Sequence, residues 1–470
     1  MPVPETLGPR VVLHLLNRAG YGPRPGEIAS VLQEGPTKWI EEQLEPAGDP
    51  ELDQRLASFP TLSYTTSRIL ALYNADQRSI GVVLDELVSA KVVRAVHARN
   101  QLQEVLVDFW FNHFNVFVND GFDRFAISSY ERDAIRPRVL GRFRDLLGAA
   151  SLHPAMLYYL DNYLNTVPRR VGTRVVGGIN ENQGRELLEL HTVGVDAGYS
   201  QADVIEASRC LTGHGIDNVS TGGNYQYRAA NHDNDSKQVF GLAVAAGGGE
   251  GDIQRLFDFL ASHPATARHL SRKLAQRFVA DDPPAGLVER LADVYLRTDG
   301  DLKQVVKALL GSAEFWAEAF GTGKPKTAFE SVASTLRAAG ASVHQARAVR
   351  TAAQDMGMPL YACNPPTGYS NRGADWLNPS SQLYRMNFAL DLAAGAVAGV
   401  SADVRGLIRG GGGDPEDPRS AAEAINREVF GRTLSSASLA AAARVEKGGS
   451  VAVPVRVAGL LLASPDMQVR

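Results

Sequence analysis

Cysteine is nearly absent from the chain: 470 residues carry two, Cys210 and Cys363. Two thiols cannot staple a disulfide scaffold, and they cannot fill an all-cysteine zinc site, which takes four. No run of about 18 apolar residues occurs, so a membrane-spanning helix is not expected. A long basic run is also missing; 48 lysines and arginines face 52 aspartates and glutamates, for a net charge of −4. No nucleic-acid-binding role is expected from that balance. The opening MPVPETLGPRVVLHLL has no basic start leading into an apolar stretch, so no secretory signal is read. The expected compartment is the cytoplasm, with export alongside a partner as the alternative. Nucleotide-binding glycine loops, a serine nucleophile elbow, the H-E-x-x-H zinc string and the haem C-x-x-C-H string are all missing.

What is present suits a large helical protein. Hydrophobic residues make up 44% and charged residues 21%, an ordinary globular balance. Apolar residues recur at helical spacing through 10–46, 76–118, 131–165 and 180–213. In SHPATARHLSRKLAQRF (262–278), Ser262 reads as an N-cap with a proline just inside. Strand signals are confined to Gly172–Ile179 and Asn224–Arg228. The expected fold class is mainly α: a large multi-helix domain with long loops and at most short β-hairpins. Residues 1–409 read as that main domain, and 410–418 as a Gly/Pro linker. Residues 419–470 read as a small helical C-terminal segment packing on it.

Four segments carry chemistry. In FWFNHFNVF (109–117), His113 sits among aromatics, either as a ligand or as a core histidine bonded to a backbone carbonyl. NENQGRELLELHTVGVDAGYS (180–200) is the densest polar cluster. Its Arg185, Glu186, Glu189 and His191 are candidate catalytic groups, and Asn180 and Asn182 candidate substrate contacts. On a regular helix Glu189 and His191 point apart, and Glu181–Arg185 is an i,i+4 pair, so a structural ion-pair network stands as the alternative. LTGHGID and NHDNDSK add His214, His232 and Asp233, which are metal-type groups or parts of a solvated turn. In NPPTGYSNRGADWLNPSSQLYRMNF (364–388), Tyr369, Trp376 and Asn378 suit an amphipathic ligand, or a packed loop with Asn378 capping the next helix.

Taken in order, these strings resemble the bacterial domain-of-unknown-function 1800 family. So do HLLNRAGYGPRPGEI (14–28), HPATARHLSRKLAQRFV (263–279) and LLASPDMQ (461–468). The resemblance covers about residues 10–468. It implies a largely helical protein without an assigned activity. Many members are exported and encoded beside sulfatase-like proteins, which makes such a protein, or a glycan, the implied partner. Two departures stand out. Gln183-Gly184 occupy the place where Tyr-Ala is common, and a glycine inside a helix loosens it by about 1 kcal/mol relative to alanine. His214 stands where a tryptophan is common. The expected function is a metal-assisted hydrolase with a divalent ion held among His113, His191, His214, His232 and Asp233, where a metal activates water and a carboxylate serves as base. The alternative is a non-catalytic scaffold or binding partner.

Overall fold

The computed structural model describes residues 8–470. Among them are 24 α-helices, and the named strands form four two-stranded antiparallel sheets. The fold class is mainly α, as the periodicity implies. No helix among the described residues is long and apolar enough to cross a membrane.

The helices form where the apolar stripes fall. Pro9–Arg18 starts on a proline, whose missing N–H costs nothing at that position, and buries Val11, Val12, Leu15 and Leu16. The stretch 76–118 divides in two because Ala98 leaves helical geometry, giving Ser79–His97 and Gln101–His113. The second of these buries Leu102, Val105, Leu106, Phe109 and Trp110 and runs through the core. Pro264–Phe278 begins where the sequence places it, but its cap differs. The ring Nδ1 of His263 accepts the Ala265 N–H at 3.1 Å, while Ser262 closes the preceding Gly251–Ser262 helix.

The motif 180–200 is not one regular helix. Asn182–Glu186 is α-helical and Leu187–His191 is a π turn. Beyond a short turn, Gln201–Cys210 opens with a Ser200–Asp203 capping box. The Thr192 hydroxyl donates to the Leu187 carbonyl at 2.6 Å, and the Gly194 N–H donates to Leu188 O at 3.0 Å. These bonds engage the carbonyls on which a continuing α-ladder would depend. Gly194 then reverses the chain at φ +88, where a Cβ would stand 2.9 Å from Nδ1 of His269.

The expected long loops carry hairpins. Thr166–Val171 pairs with Arg174–Gly178, His214–Ile216 with Tyr225–Tyr227, and Lys237–Val239 with Leu242–Val244. Segment 357–382 stays largely irregular. At the C-terminal side, Val453–Leu462 packs along Pro379–Ala393 and Pro418–Phe430 along Val404–Gly410. Gly411 and Gly413 sit against Ala424, so the glycine run there is a packed turn. Residues 468–470 pair back onto 324–326: Lys326 N–H donates to Gln468 O, and Lys324 N–H to Arg470 O, both at 2.9 Å.

A candidate acid–base centre

The Gln101–His113 helix ends against the π turn and the Pro264–Phe278 helix, and there three histidines and a lysine meet. His113 and His191 are buried, with ring centroids 5.9 Å apart. His269 and Lys273 are half-buried, one turn apart on Pro264–Phe278. The Lys273 ammonium donates to His113 Nδ1 at 2.8 Å. On its other side, His113 Nε2–H donates to the His191 carbonyl at 3.2 Å, which fixes the neutral tautomer. His269 Nε2 donates to the Leu190 carbonyl at 3.1 Å. The π turn thus presents two carbonyls to two imidazoles, while His191 Nε2 is buried without a hydrogen-bond partner.

Every charge in this group is positive. Lys273 has no carboxylate within 4 Å among the described residues, and burial lowers its pKa from 10.5 to about 8. Burial first, then the Lys273 charge and the neighbouring imidazoles, hold His113 well below its ordinary value. His191 is lowered to about 3 by burial, then by Lys273 and His269. His269 is lowered to about 4 by burial and then Lys273, with the Leu190 carbonyl opposing. Three neutral imidazoles therefore surround one amine that titrates close to neutrality. Two other lysines show the contrast, Lys91 paired with Asp108 at 2.6 Å and Lys237 with Asp252 at 2.7 Å, whereas buried Lys326 donates to the Met467 carbonyl at 2.8 Å and is likewise lowered by burial, to about 7. Lysines activated for base or nucleophile chemistry are made by this kind of desolvation without a counter-ion.

The remaining residues singled out from the sequence are distributed as follows. Arg185 pairs with Glu181 at 3.0 Å and donates to Gln201 at 2.9 Å. Glu186 and Glu189 are half-buried and have no basic partner within 4 Å among the described residues. Burial and then Glu189 raise the Glu186 carboxyl, and the Tyr199 hydroxyl donates to Glu189 at 3.4 Å. Asn180 accepts the Asn182 N–H at 3.0 Å, and Asn182 donates to Asp161 at 3.4 Å. The Tyr369 backbone is held by Asn112 through bonds of 2.7 and 2.8 Å. The Trp376 indole donates to Ser370 O at 3.0 Å, and Asn378 caps Pro379–Ala393.

His214 and His232 form a second pair, with ring centroids 6.4 Å apart. His214 Nδ1 meets the Tyr225 hydroxyl at 2.9 Å, and that hydroxyl also meets Glu250 at 3.0 Å. His232 lies between the Thr212 carbonyl at 2.8 Å and Asp252 at 3.3 Å. Asp233 is taken by Arg209 in a two-point contact of 2.7 and 3.0 Å. The expected ligands thus fall into two pairs, with Asp233 committed to an arginine. No group of three or more His, Cys, Asp or Glu side chains among the described residues stands close enough to hold a metal ion. The residues present do not fit the divalent ion expected from the sequence.

Residues 14–469 match the model of the family described as protein of unknown function, DUF1800. The chain belongs to the DUF1800 family. No curated protein and no solved structure matches it. For this DUF1800 chain, sequence reasoning missed Lys273 and His269 in the cluster around His113, and Asp252 beside His232. The first two had a legible trace, a histidine and a lysine four apart beside the buried Leu270 and Leu274.

Proposed function

We propose that this chain is a hydrolase-type enzyme whose base is the Lys273 amine, held by His113 beside the π turn of the central motif. The observation that carries the reading is the Lys273–His113 bond: a desolvated lysine whose partner is a neutral imidazole and not a carboxylate. A group that titrates near the working pH is the most effective proton carrier. Neutral Lys273 takes a proton from an attacking water or hydroxyl and returns it to the leaving group. His113 fixes the direction of the amine, and the π turn fixes His113. Two features support a functional centre over a purely structural one: the orphaned His191 Nε2, and the π turn, a deformation that recurs at functional sites. Glu186, whose carboxyl burial and then the Glu189 charge push above its ordinary value, lies immediately before the π turn.

The test is a panel of chromogenic esters, amides, glycosides and sulfate esters offered to the full chain and to Lys273→Met. Turnover of one class, lost about 100-fold or more in the variant, is expected. No turnover in any class, or turnover that the variant keeps, would sink the reading.

A second reading is favoured by the Pro379–Ala393 helix. It exposes Leu383, Met386 and Leu390 at i, i+3 and i+7, with Leu377 and Leu460 also exposed. Such a face suits a protein partner, and the family resemblance makes a sulfatase-like protein the partner to try. Co-purification abolished by Leu383→Glu would support it. The compartment we propose is the cytoplasm, in which two unpaired buried thiols stay reduced; export with the partner goes with the second reading.

A further inference from the structure

The hairpin of Thr166–Val171 and Arg174–Gly178 is solvated on both faces. Its strands are each other's chief neighbours. Pro168, Arg169 and Arg170 are exposed, and so is every residue from Gly172 to Gly177. No backbone N–H or C=O of 166–178 bonds outside the hairpin among the described residues, so both outer edges are open. A two-stranded hairpin without packing is marginally stable in water, and an open edge is a template for another strand.

The charge on this arm is of one sign. Residues 162–180 hold three arginines, Arg169, Arg170 and Arg174, and no aspartate or glutamate. None of the three forms an ion pair among the described residues. The acids that bracket the segment are engaged elsewhere: Asp161 accepts from Asn182 at 3.4 Å, and Glu181 pairs with Arg185 at 3.0 Å.

The register decides what can lie along such an arm. Arg169 pairs with Val176 and Arg170 with Val175; opposed residues share a face, and successive ones alternate. One face therefore carries Arg169, Arg174 and Val176, and the other Arg170 and Val175, the last 64% exposed. A lipid surface takes elements that gather their apolar residues on one side, and here each face carries both kinds. A second copy of the hairpin would set arginine against arginine, which is unfavourable. An added strand also alternates its side chains between two faces, so carboxylates along it meet arginines on both while its apolar residues cover the valines. Arginine forks match carboxylates, two N–H groups to two oxygens.

We propose that this hairpin docks an extended acidic segment of a partner protein, which adds a third strand along an open edge and sets its carboxylates against Arg169, Arg170 and Arg174. The surface is separate from the Lys273 centre and from the Leu383 face, and stands without either.

The probe is a fluorescently labelled peptide of repeated Val-Glu-Glu-Val, offered to the full chain at low salt and read by anisotropy. The same peptide with lysine for every glutamate is the control. Saturable binding of the glutamate peptide alone, weakening as salt rises, is expected. Amide hydrogen exchange should slow within 166–178 on binding, because strand addition ties up edge N–H groups. The triple variant Arg169→Gln/Arg170→Gln/Arg174→Gln should weaken binding about tenfold to a hundredfold, the worth of three exposed charge pairs. Its melting temperature should be unchanged, since the three side chains are exposed. Phosphatidylserine vesicles and single-stranded DNA are offered in parallel. Preference for either over the glutamate peptide, no saturable binding of that peptide, binding without slowed exchange in the hairpin, or binding that the triple variant keeps would each overturn the proposal.

Discussion

Replacing Gly184 by alanine separates what the sequence implies from what the packing imposes. Helix preference alone favours alanine by about 1 kcal/mol. The structure gives the opposite sign. A Cβ on Gly184 would stand 2.1 Å from Ser208 Oγ, 3.0 Å from Ser208 N and 3.1 Å from its Cα. Ser208 is fully buried in the Gln201–Cys210 helix, and its hydroxyl donates to Val204 O at 2.8 Å. Turning the hydroxyl away costs that bond, about 1 kcal/mol. The backbone contacts remain, and they force the two helices apart. Overpacking of this kind costs about 1–3 kcal/mol. Set against the helical gain, Gly184→Ala should lose roughly 1–3 kcal/mol. Urea unfolding of the full chain reads this as a lower midpoint with the slope unchanged. In a Ser208→Gly background the loss should shrink, since the shortest contact is gone. A midpoint raised by Gly184→Ala in the native background would refute the close helix crossing and leave propensity in charge.

Asp252→Ala removes the carboxylate that accepts from Lys237 at 2.7 Å and faces His232 at 3.3 Å, all at fully buried side chains. The uncompensated lysine should cost about 3–5 kcal/mol in urea unfolding, and a loss under about 1 kcal/mol would contradict the pairing. Stability should also fall with acid. Burial holds His14, His153 and His191 at about 3, so they stay neutral in the fold while the unfolded chain takes up protons below 6.5. Between those values the unfolded state binds more protons, and stability drops as pH falls from 6.5 towards 3, by about 1.4 kcal/mol per pH unit for each histidine. Urea midpoints at pH 7.5, 6.5 and 5.5 check this, and a flat profile would refute it. Glu131 adds a second acid step. Its burial favours the protonated form, but Arg136, Lys91 and Arg94, with the Tyr361 hydroxyl, hold it down to about 2. Its contribution is complete above about 4.5 and lost on descent through about 2, so Glu131→Gln should remove that part of the profile.

The sequence showed the helices and left their partners unread. Apolar spacing located Gln101–His113 because Leu102, Val105, Leu106 and Phe109 form one stripe whatever they pack against. The π turn escaped because it depends on the Thr192 hydroxyl reaching back to Leu187, a choice that residue type does not dictate. The histidines were legible as residue types and not as neighbours. His113 and Lys273 are 160 positions apart, and only the packing of Pro264–Phe278 against the end of Gln101–His113 joins them. Asp233 has the residue type of a metal ligand, and only the fold sets Arg209 against it, at 2.7 Å. The Tyr369–Trp376 loop read as a cleft; its backbone and indole are held within the chain by Asn112 and Ser370.

The central claim is that Lys273 is a desolvated amine held by a neutral imidazole. Its most direct measurement is an NMR titration of isotopically labelled lysine amines in the full chain, with the Lys273 signal assigned by its loss in Lys273→Arg. Expected is a midpoint near 8, against 10.5 for an ordinary lysine. A midpoint at or above 10.5 would mean that Lys273 is solvated or paired with a carboxylate, and would contradict the acid–base centre.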